Sequence, residues 1–181
     1  TGIVDELMMA TQRKSKSYAI GLHAEDVIAL GGHAANGVVW MDDVLMKWSS
    51  TDYYAEGMPW QALDMNVNGA FQRYVDRAWQ PLYPTSTYLA ALNERNPKSF
   101  EYKSTSKKKS NSPATMLKQT PSANSLIAEL ALRIFQEQEL GMDKFPDALI
   151  LQFTVRTPNE KKFSLQTLEK EDMYLRLDDE L

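Results

Sequence analysis

Hydrophobic positions along the chain follow two periods, one typical of buried strands and one typical of helices. Residues 17–22 and 147–153 are short, mostly apolar runs of the kind found in parallel strands that are buried on both faces. Residues 120–141 instead carry apolar side chains every three or four positions, which predicts a long helix. A helix followed by a buried strand after a short connection is typical of a parallel sheet.

Weaker patterns predict the remaining elements. Two β-prone runs at residues 38–41 and 47–50, separated by two aspartates, indicate a hairpin or a pair of neighbouring strands. Apolar spacing predicts helices over residues 5–11, 24–30 and 59–66 and a last helix from about residue 164. The expected core positions are Leu126, Ile127, Leu130, Ile134 and Phe135 on the long helix, Tyr174, Leu177 and Leu181 on the last helix, and the four tryptophans Trp40, Trp48, Trp60 and Trp79.

Length and composition favour a single α/β unit over residues 1–181, with a mostly parallel sheet flanked by helices. The chain has 181 residues, of which 43% are hydrophobic, and this is enough for one substantial core. Residues 83–119 lack apolar periodicity, so we expect a long irregular or mobile excursion there. The four lysines at residues 103–109 are interpreted as part of a solvated loop in preference to a phosphate-attracting patch.

Charge and cysteine content exclude several functions. The chain has no cysteine, which excludes disulfides, thiolate zinc sites and cysteine nucleophiles. Its net charge of -4 provides no positive field for nucleic acid, and no apolar run approaches the ~20 residues that would insert into a membrane. Because the sequence starts without methionine and stops within a helical pattern, we expect an internal piece of a longer protein.

Ordered sequence blocks carry a resemblance to a known family. The block Gly31-Gly32-His33-Ala34-Ala35-Asn36-Gly37-Val38-Val39-Trp40 is the most convincing. Further blocks follow in the same order at residues 49–54, 58–60, 79–82, 120–124, 139–141 and 169–178. Together they resemble the alkaline phosphatase superfamily, including type I phosphodiesterases, and are most similar to bacterial phosphate-irrepressible alkaline phosphatases. The resemblance implies a partial alkaline-phosphatase-like core in which the excursion at residues 83–119 matches poorly.

The resemblance also implies a reaction. Enzymes of this family hydrolyse phosphate esters with a threonine nucleophile held between two zinc ions. The nucleophile lies upstream of the matching segment, so no residue of this chain is assigned a catalytic role. We therefore expect no cofactor in this chain, although zinc serves the family. The family further implies a location in the periplasm or cell envelope.

Two metal ligands of the family fall within the matching segment, and both are substituted. Counting back from Tyr174 without gaps places the expected Asp and His at Thr157 and Lys161. Threonine is a poor zinc ligand, and a lysine ammonium offers no lone pair. A shifted register would present Asn159 and Glu160, which do not restore the pair. We expect no metal site of the family type.

The phosphate clamp is substituted as well. Where the family has Lys-x-Arg after its first strand, this chain has His23, Ala24 and Glu25. Glu25 repels a phosphate that arginine would bind with a bidentate fork. His23 and Glu25 with Asp26 or His33 are also candidates for acid/base or metal chemistry, but a solvent-facing loop is the favoured interpretation. The His33 ring is expected to bond a loop carbonyl.

Two functional hypotheses follow. In one, the protein is a metal-dependent phosphohydrolase that acts on phosphate esters and compensates for the altered positions. In the other, it is a pseudoenzyme that keeps the α/β scaffold as a binding module for a protein partner in the cell envelope. Substitution at both the metal pair and the clamp favours an inactive chain. The identity of any substrate does not follow from these residues.

Overall fold

A computed structural model describes residues 2–54, 57–89, 100, 112–156 and 167–181. These ranges contain seven α-helices and four strands. In chain order they are α1 (Ile3–Ala10), β1 (Ser17–Gly21), α2 (Ala24–Gly31), β2 (Gly37–Asp42), β3 (Lys47–Ser49), α3 (Trp60–Val67), α4 (Ala70–Val75), α5 (Pro113–Leu117), α6 (Pro121–Glu137), β4 (Ala148–Gln152) and α7 (Leu168–Glu180), with a short 3-10 helix at Thr85–Thr87.

The strands form one mostly parallel sheet in the order β3-β2-β1-β4. Strand β1 pairs in parallel with β2, where Tyr18 lies opposite Gly37, and with β4, where Ser17 lies opposite Ala148. All five residues of β1 are buried. The predicted central parallel strand and the α/β fold class are therefore confirmed.

A tight turn joins β2 to β3, which is the antiparallel strand of the sheet. The Asp42 carboxylate accepts hydrogen bonds from the backbone N–H groups of Val44 and Leu45, at 2.8 and 2.7 Å. Met46 then takes a left-handed conformation with φ of 50°, which returns the chain alongside β2. The predicted hairpin is confirmed.

Close packing holds α2 against the sheet. A methyl group added at Gly31, the last residue of α2, would lie 2.6 Å from Cγ2 of Val38 on β2. The core around this contact includes Val4 of α1, Ala19 of β1 and Val27 of α2, all of them buried. Glycine at position 31 is therefore required by space, because a side chain would push the helix away from the strand.

The chain divides into two compact units, each built from two separate segments. Residues 1–71 and 126–153 form the first unit, which contains the sheet, and residues 72–125 and 154–181 form the second. The chain passes from one unit to the other three times, so neither unit is a continuous stretch. The prediction of one α/β unit over residues 1–181 stays a prediction.

The second unit is organised around Asp172 of α7, whose side chain is fully buried. Its carboxylate accepts hydrogen bonds from Trp79 Nε1, the Leu82 backbone N–H and the Tyr88 hydroxyl, each at 2.6 Å. Arg176, one turn further along α7, donates from Nε at 2.9 Å. Burial, followed by the bond to Asp172, raises the pKa of Tyr88, which therefore remains a donor. One carboxylate thus joins α7 to residues 79–88.

Several predicted core positions differ from the structure. Trp48 and Trp79 are buried as expected, but Trp60 is 54% exposed and Phe135 is 51% exposed. On α7 the buried side chains are Leu168, Asp172 and Met173, whereas Tyr174 is exposed. Most of the predicted excursion at residues 83–119 lies outside the described residues, and its described margins form the 3-10 helix and α5.

Replacing Asp172 by alanine is expected to destabilise the protein by about 3–5 kcal/mol, because three buried or partly buried donors and Arg176 lose their acceptor together. Asp178→Ala, at an exposed position of the same helix, is the matched control and should change stability by less than ~0.5 kcal/mol. Urea unfolding followed by tryptophan fluorescence measures both. Equal midpoints for the two variants would show that Asp172 does not organise this unit.

Candidate functional site

The carboxyl ends of β1 and β4 lie side by side at one end of the sheet, where ligands bind in open α/β folds. This end of the sheet is called the ligand edge. His23 lies two residues after the end of β1, and Gln152 is the last residue of β4. The Gln152 side chain accepts a hydrogen bond from the Leu22 backbone N–H at 3.2 Å and donates one to Asp26 Oδ2 at 3.1 Å. This amide therefore ties together the ends of both strands and the first turn of α2.

There is no room for a side chain at Gly21, the last residue of β1. A methyl group at Gly21 would lie 2.5 Å from Val27 Cγ1 and 2.6 Å from Gln152 Oε1. The helix and the glutamine therefore close over the end of β1, next to His23 and Glu25.

The predicted clamp residues His23 and Glu25 lie at this edge, and their role in phosphate binding stays a prediction. His23 is half-buried and has extended backbone angles at the N-cap of α2, where its side chain makes no capping bond. Glu25 and Asp26 are exposed in the first turn of α2. Acidic groups stabilise the positive end of a helix. They also neutralise the partial charge that a helix N-terminus offers to a phosphate.

The predicted metal positions Thr157 and Lys161 lie outside the described residues, together with Asn159 and Glu160. Within the ranges that the structure describes, no three histidine, aspartate or glutamate side chains are grouped so that they would hold a metal ion. The loss of the zinc ligands that the resemblance implies therefore stays a prediction.

Asp5 of α1 shapes the opposite, amino-terminal end of the sheet. Its Oδ1 accepts hydrogen bonds from the backbone N–H groups of His33 and Ala34, at 2.8 and 2.9 Å, and its Oδ2 accepts one from Gly2 at 2.9 Å. The bond from Gly2 is the main cause that lowers the pKa of Asp5 from 3.8 to about 2; the bonds from the other two amides add to it, while burial opposes them. Asp5 is thus an ionised structural acceptor.

His33 does not make the contact expected from the sequence. Its backbone N–H binds Asp5, and its ring is 80% exposed, with Nδ1 3.6 Å from Asp5 Oδ2. The ring therefore lies near the Asp5 carboxylate, whereas the sequence predicted a hydrogen bond from the ring to a loop carbonyl. An open cavity of about 560 Å³ lies beside the ring, with Tyr53 and Tyr54 among its lining residues.

Sequence reasoning did not identify Asp5 or Gln152. Asp5 lies in the first turn of α1, where an acidic residue is expected for helix stability alone. Gln152 ends an apolar strand. A polar residue at the carboxyl end of a parallel strand is a signal for a place near the ligand site. Their partners lie 28 and 130 residues away in sequence, so no local pattern reveals the contacts.

Comparison with known structures identifies the fold. The chain matches the crystal structure of wild-type alkaline phosphatase PafA with a TM-score of 0.76 and 26% sequence identity, over 98% of this chain and 36% of that one. A crystal structure of a PafA variant with four substitutions, a lysine and an arginine among the replaced residues, matches with the same TM-score. The mostly parallel sheet flanked by helices is therefore an alkaline-phosphatase-like fold.

Curated relatives agree with the structural comparison. Over its whole length the chain is 30% identical to alkaline phosphatase PhoV of Synechococcus elongatus, of which it covers 34%. It is 26% identical to alkaline phosphatase PafA of Elizabethkingia meningoseptica, of which it covers 35%. It is also 28% identical to a calcium-transporting ATPase of Myroides odoratus, of which it covers 34%. No family model matches the chain.

The chain belongs to the alkaline phosphatase superfamily. It spans about a third of the length of the curated relatives that it matches. Among the described residues, no helix is long and apolar enough to cross a membrane.

Replacing Asp5 by asparagine is expected to give a stability loss that depends on pH. Because the pKa of Asp5 is lowered in the folded protein, its carboxylate contributes stability that is complete above about pH 4 and is lost as the pH falls towards 2. The difference in unfolding free energy between wild type and Asp5→Asn should therefore be constant above pH 4 and shrink from pH 4 to pH 2. Urea unfolding across this range measures it.

Glu6→Gln, at the exposed neighbouring position of α1, is the control for general loss of negative charge. Its difference from wild type should stay small throughout. A difference for Asp5→Asn that does not shrink down to pH 2 would contradict the assignment of Asp5 as an ionised acceptor in the folded protein.

Proposed function

We propose that this chain forms part of an alkaline-phosphatase-like protein whose phosphate clamp is lost, and that it does not hydrolyse phosphate esters. The observation that carries the proposal is the pair of carboxylates, Glu25 and Asp26, in the first turn of α2 at the carboxyl end of β1. This is the place that a phosphate group would occupy in a sheet of this kind.

Electrostatics decides the sign of the interaction with a phosphate dianion. Two unit charges about 4 Å apart interact by about 1 kcal/mol in bulk water and by about 4 kcal/mol at the effective dielectric constant of a protein surface. Because Glu25 stands where the family has an arginine, its interaction with a phosphate is repulsive instead of attractive. Because Glu25 is exposed, solvent and salt screen it, and the interaction is worth about 1 kcal/mol or less. Even so, both charges of the dianion are repelled.

The neutral Gln152 maintains this arrangement. Its amide donates to Asp26 and thereby holds one carboxylate beside the end of β4. Its other bond, from the Leu22 backbone N–H, fixes the amide itself. The described edge thus presents two carboxylates beside His23, whose Nε2 is buried, in place of the lysine and arginine that the resemblance implies.

The role that remains for such a scaffold is binding without catalysis. The proposal makes the chain part of a pseudoenzyme that acts as an interaction module for a protein partner in the periplasm or cell envelope. Family resemblance supports this location. Thr157 and Lys161, at the expected metal positions, support the loss of zinc chemistry in the same way, since neither provides a zinc ligand under neutral conditions.

A second candidate function keeps the reaction of the relatives. Two of them are named alkaline phosphatases, and the chain covers only about a third of each. The longer protein would then supply nucleophile, metals and substrate contacts from other segments, and it would act on phosphate esters with zinc. Loss of both the clamp and the metal pair favours the first candidate.

Zinc content and phosphate ester hydrolysis separate the two candidates. We expect the longest natural form of the protein, purified with zinc present, to bind less than one zinc per molecule and to hydrolyse neither p-nitrophenyl phosphate nor bis-p-nitrophenyl phosphate above background. The chain alone should be inactive under either candidate. Stoichiometric zinc with turnover that is lost on chelation would instead establish the phosphohydrolase.

Restoring the clamp provides a direct test of the carboxylate argument. The double variant His23→Lys, Glu25→Arg should bind inorganic phosphate at least ~10-fold more tightly than wild type, because repulsion becomes attraction. Isothermal titration at low ionic strength measures the affinity. The control His33→Lys, Glu6→Arg makes the same pair of residue changes away from the carboxyl end of β1 and should have little effect. Equal phosphate affinities for the double variant and the control would refute the assignment of residues 23–25 as the clamp position.

A further inference from the structure

The open cavity beside the His33 ring has walls that suit a cation. Its volume is about 560 Å³, which is within the range of small-molecule sites. Among the described residues that line it, one side chain is a carboxylate, two are tyrosines, and none is lysine or arginine. The cavity therefore offers a negative charge and aromatic surface together.

Asp5 supplies the negative charge. Its three hydrogen bonds all come from backbone N–H groups, those of Gly2, His33 and Ala34, and these donors are neutral. Oδ1 accepts two of the bonds and Oδ2 accepts one. The Nδ1 atom of His33 is 3.6 Å from Oδ2, which is too far for a hydrogen bond. Oδ2 therefore retains an acceptor position for a further donor.

Tyr53 supplies an aromatic face near this charge. Its ring makes T-shaped contacts with the ring of Tyr54, at a centroid distance of 5.2 Å, and with that of His33, at 6.3 Å. These contacts hold the Tyr53 ring in place before any ligand binds, and the residue is nevertheless 61% exposed. The His33 ring thus lies between the carboxylate and the open tyrosine face, so both are within reach of one small ligand.

Tyr54 offers no proton to an anion in this cavity. Its hydroxyl donates to the Gly32 carbonyl at 3.0 Å, so the proton is used within the protein. Burial raises the pKa of Tyr54, and the negative groups of Tyr53 and Asp5 raise it further. The hydroxyl therefore stays neutral, and the contribution of Asp5 shows that the carboxylate charge reaches this part of the cavity.

We infer that the cavity binds a guanidinium group, which stacks on the Tyr53 ring and donates hydrogen bonds to Asp5 Oδ2. A planar guanidinium makes both contacts at once. It is also more weakly hydrated than an ammonium, which favours it beside a carboxylate that is only 7% exposed. The group belongs either to a free arginine-like molecule or to an arginine side chain of a protein partner. This inference does not depend on whether the protein hydrolyses phosphate esters.

NMR of the histidine rings tests the inference, because the chain has two histidines and His33 lines the cavity. N-acetyl-arginine methylamide should shift the ring resonances of His33 in a saturable way and leave those of His23 unchanged. The neutral analogue N-acetyl-citrulline methylamide should bind at least ~10-fold more weakly, because it makes no charge-assisted bond. Equal affinities for the two compounds, or no saturation up to ~10 mM of the arginine compound, would overturn the inference.

Two variants test the two contacts separately. Asp5→Asn should weaken binding of the arginine compound at least ~10-fold. Because this variant also loses stability, Tyr53→Leu serves as the second, and it should weaken binding ~2- to 5-fold through loss of the aromatic face. The matched control Tyr174→Leu replaces an exposed tyrosine of α7 and should bind as wild type does. Equal affinities of Tyr53→Leu and Tyr174→Leu would contradict the inference.

Two guanidinium compounds distinguish the sources of the ligand. Free L-arginine that binds at least as tightly as the acetylated methylamide would identify a small molecule. Tighter binding of the methylamide, which resembles a residue within a peptide, would identify a protein partner, and both results support the inference. The longest natural form of the protein should have the same affinity as the chain. Loss of binding in that form would show that the cavity is not a ligand site and would overturn the inference.

Discussion

Backbone hydrogen bonding along β1 is the constraint on which the first unit depends. Every residue of this strand is buried, so water does not satisfy its peptide groups and the protein must do so. Strands β2 and β4 bond its two edges. At its ends two side-chain amides take over, since Asn36 accepts from the Ser17 N–H and Gln152 accepts from the Leu22 N–H. Gln152 also bonds Asp26 and so positions the residues of the ligand edge. The hydrogen-bonding requirement of β1 therefore determines part of the geometry of the site.

Carboxylates perform a similar task elsewhere in the chain. Asp5 and Asp147 each accept from at least two backbone N–H groups, and Asp172 accepts from one backbone N–H and three side chains. These aspartates hold segments that are distant in sequence, and their lone pairs are used by the fold. Glu25 and Asp26 differ because they are exposed at the ligand edge, where Asp26 accepts one hydrogen bond, from Gln152. In this chain the partners of an acidic residue, more than its presence, indicate whether it serves structure or ligand recognition.

Local patterns in the sequence were sufficient for the strands, the long helix and the hairpin, because periodicity and turn residues report on burial of neighbouring positions. They failed where burial depended on distant partners. Asp172 is buried because four donors converge on it, and Trp60 is exposed although tryptophan is usually a core residue. At the candidate site, the resemblance pointed to His23 and Glu25, which lie at the start of α2, and their role as a clamp stays a prediction. Gln152 required the structure, since its bond to Leu22 crosses 130 residues. Thr157 and Lys161 lie outside the described residues.

At the outer edge of β3, the Asn66 side chain of α3 accepts a hydrogen bond from the Trp48 backbone N–H and donates one to the Trp48 carbonyl. The second of these bonds depends on the side-chain nitrogen of Asn66. An amide supplies one acceptor and one donor to Trp48, whereas an ionised carboxylate supplies acceptors alone. Deamidation of Asn66 to aspartate would leave the bond from the Trp48 N–H in place and set two oxygens against each other at the carbonyl. Within the described residues, the Trp48 carbonyl would then lose its donor from α3, and an unpaired strand edge favours association of sheets. The identity of one side-chain atom therefore determines whether this edge is closed.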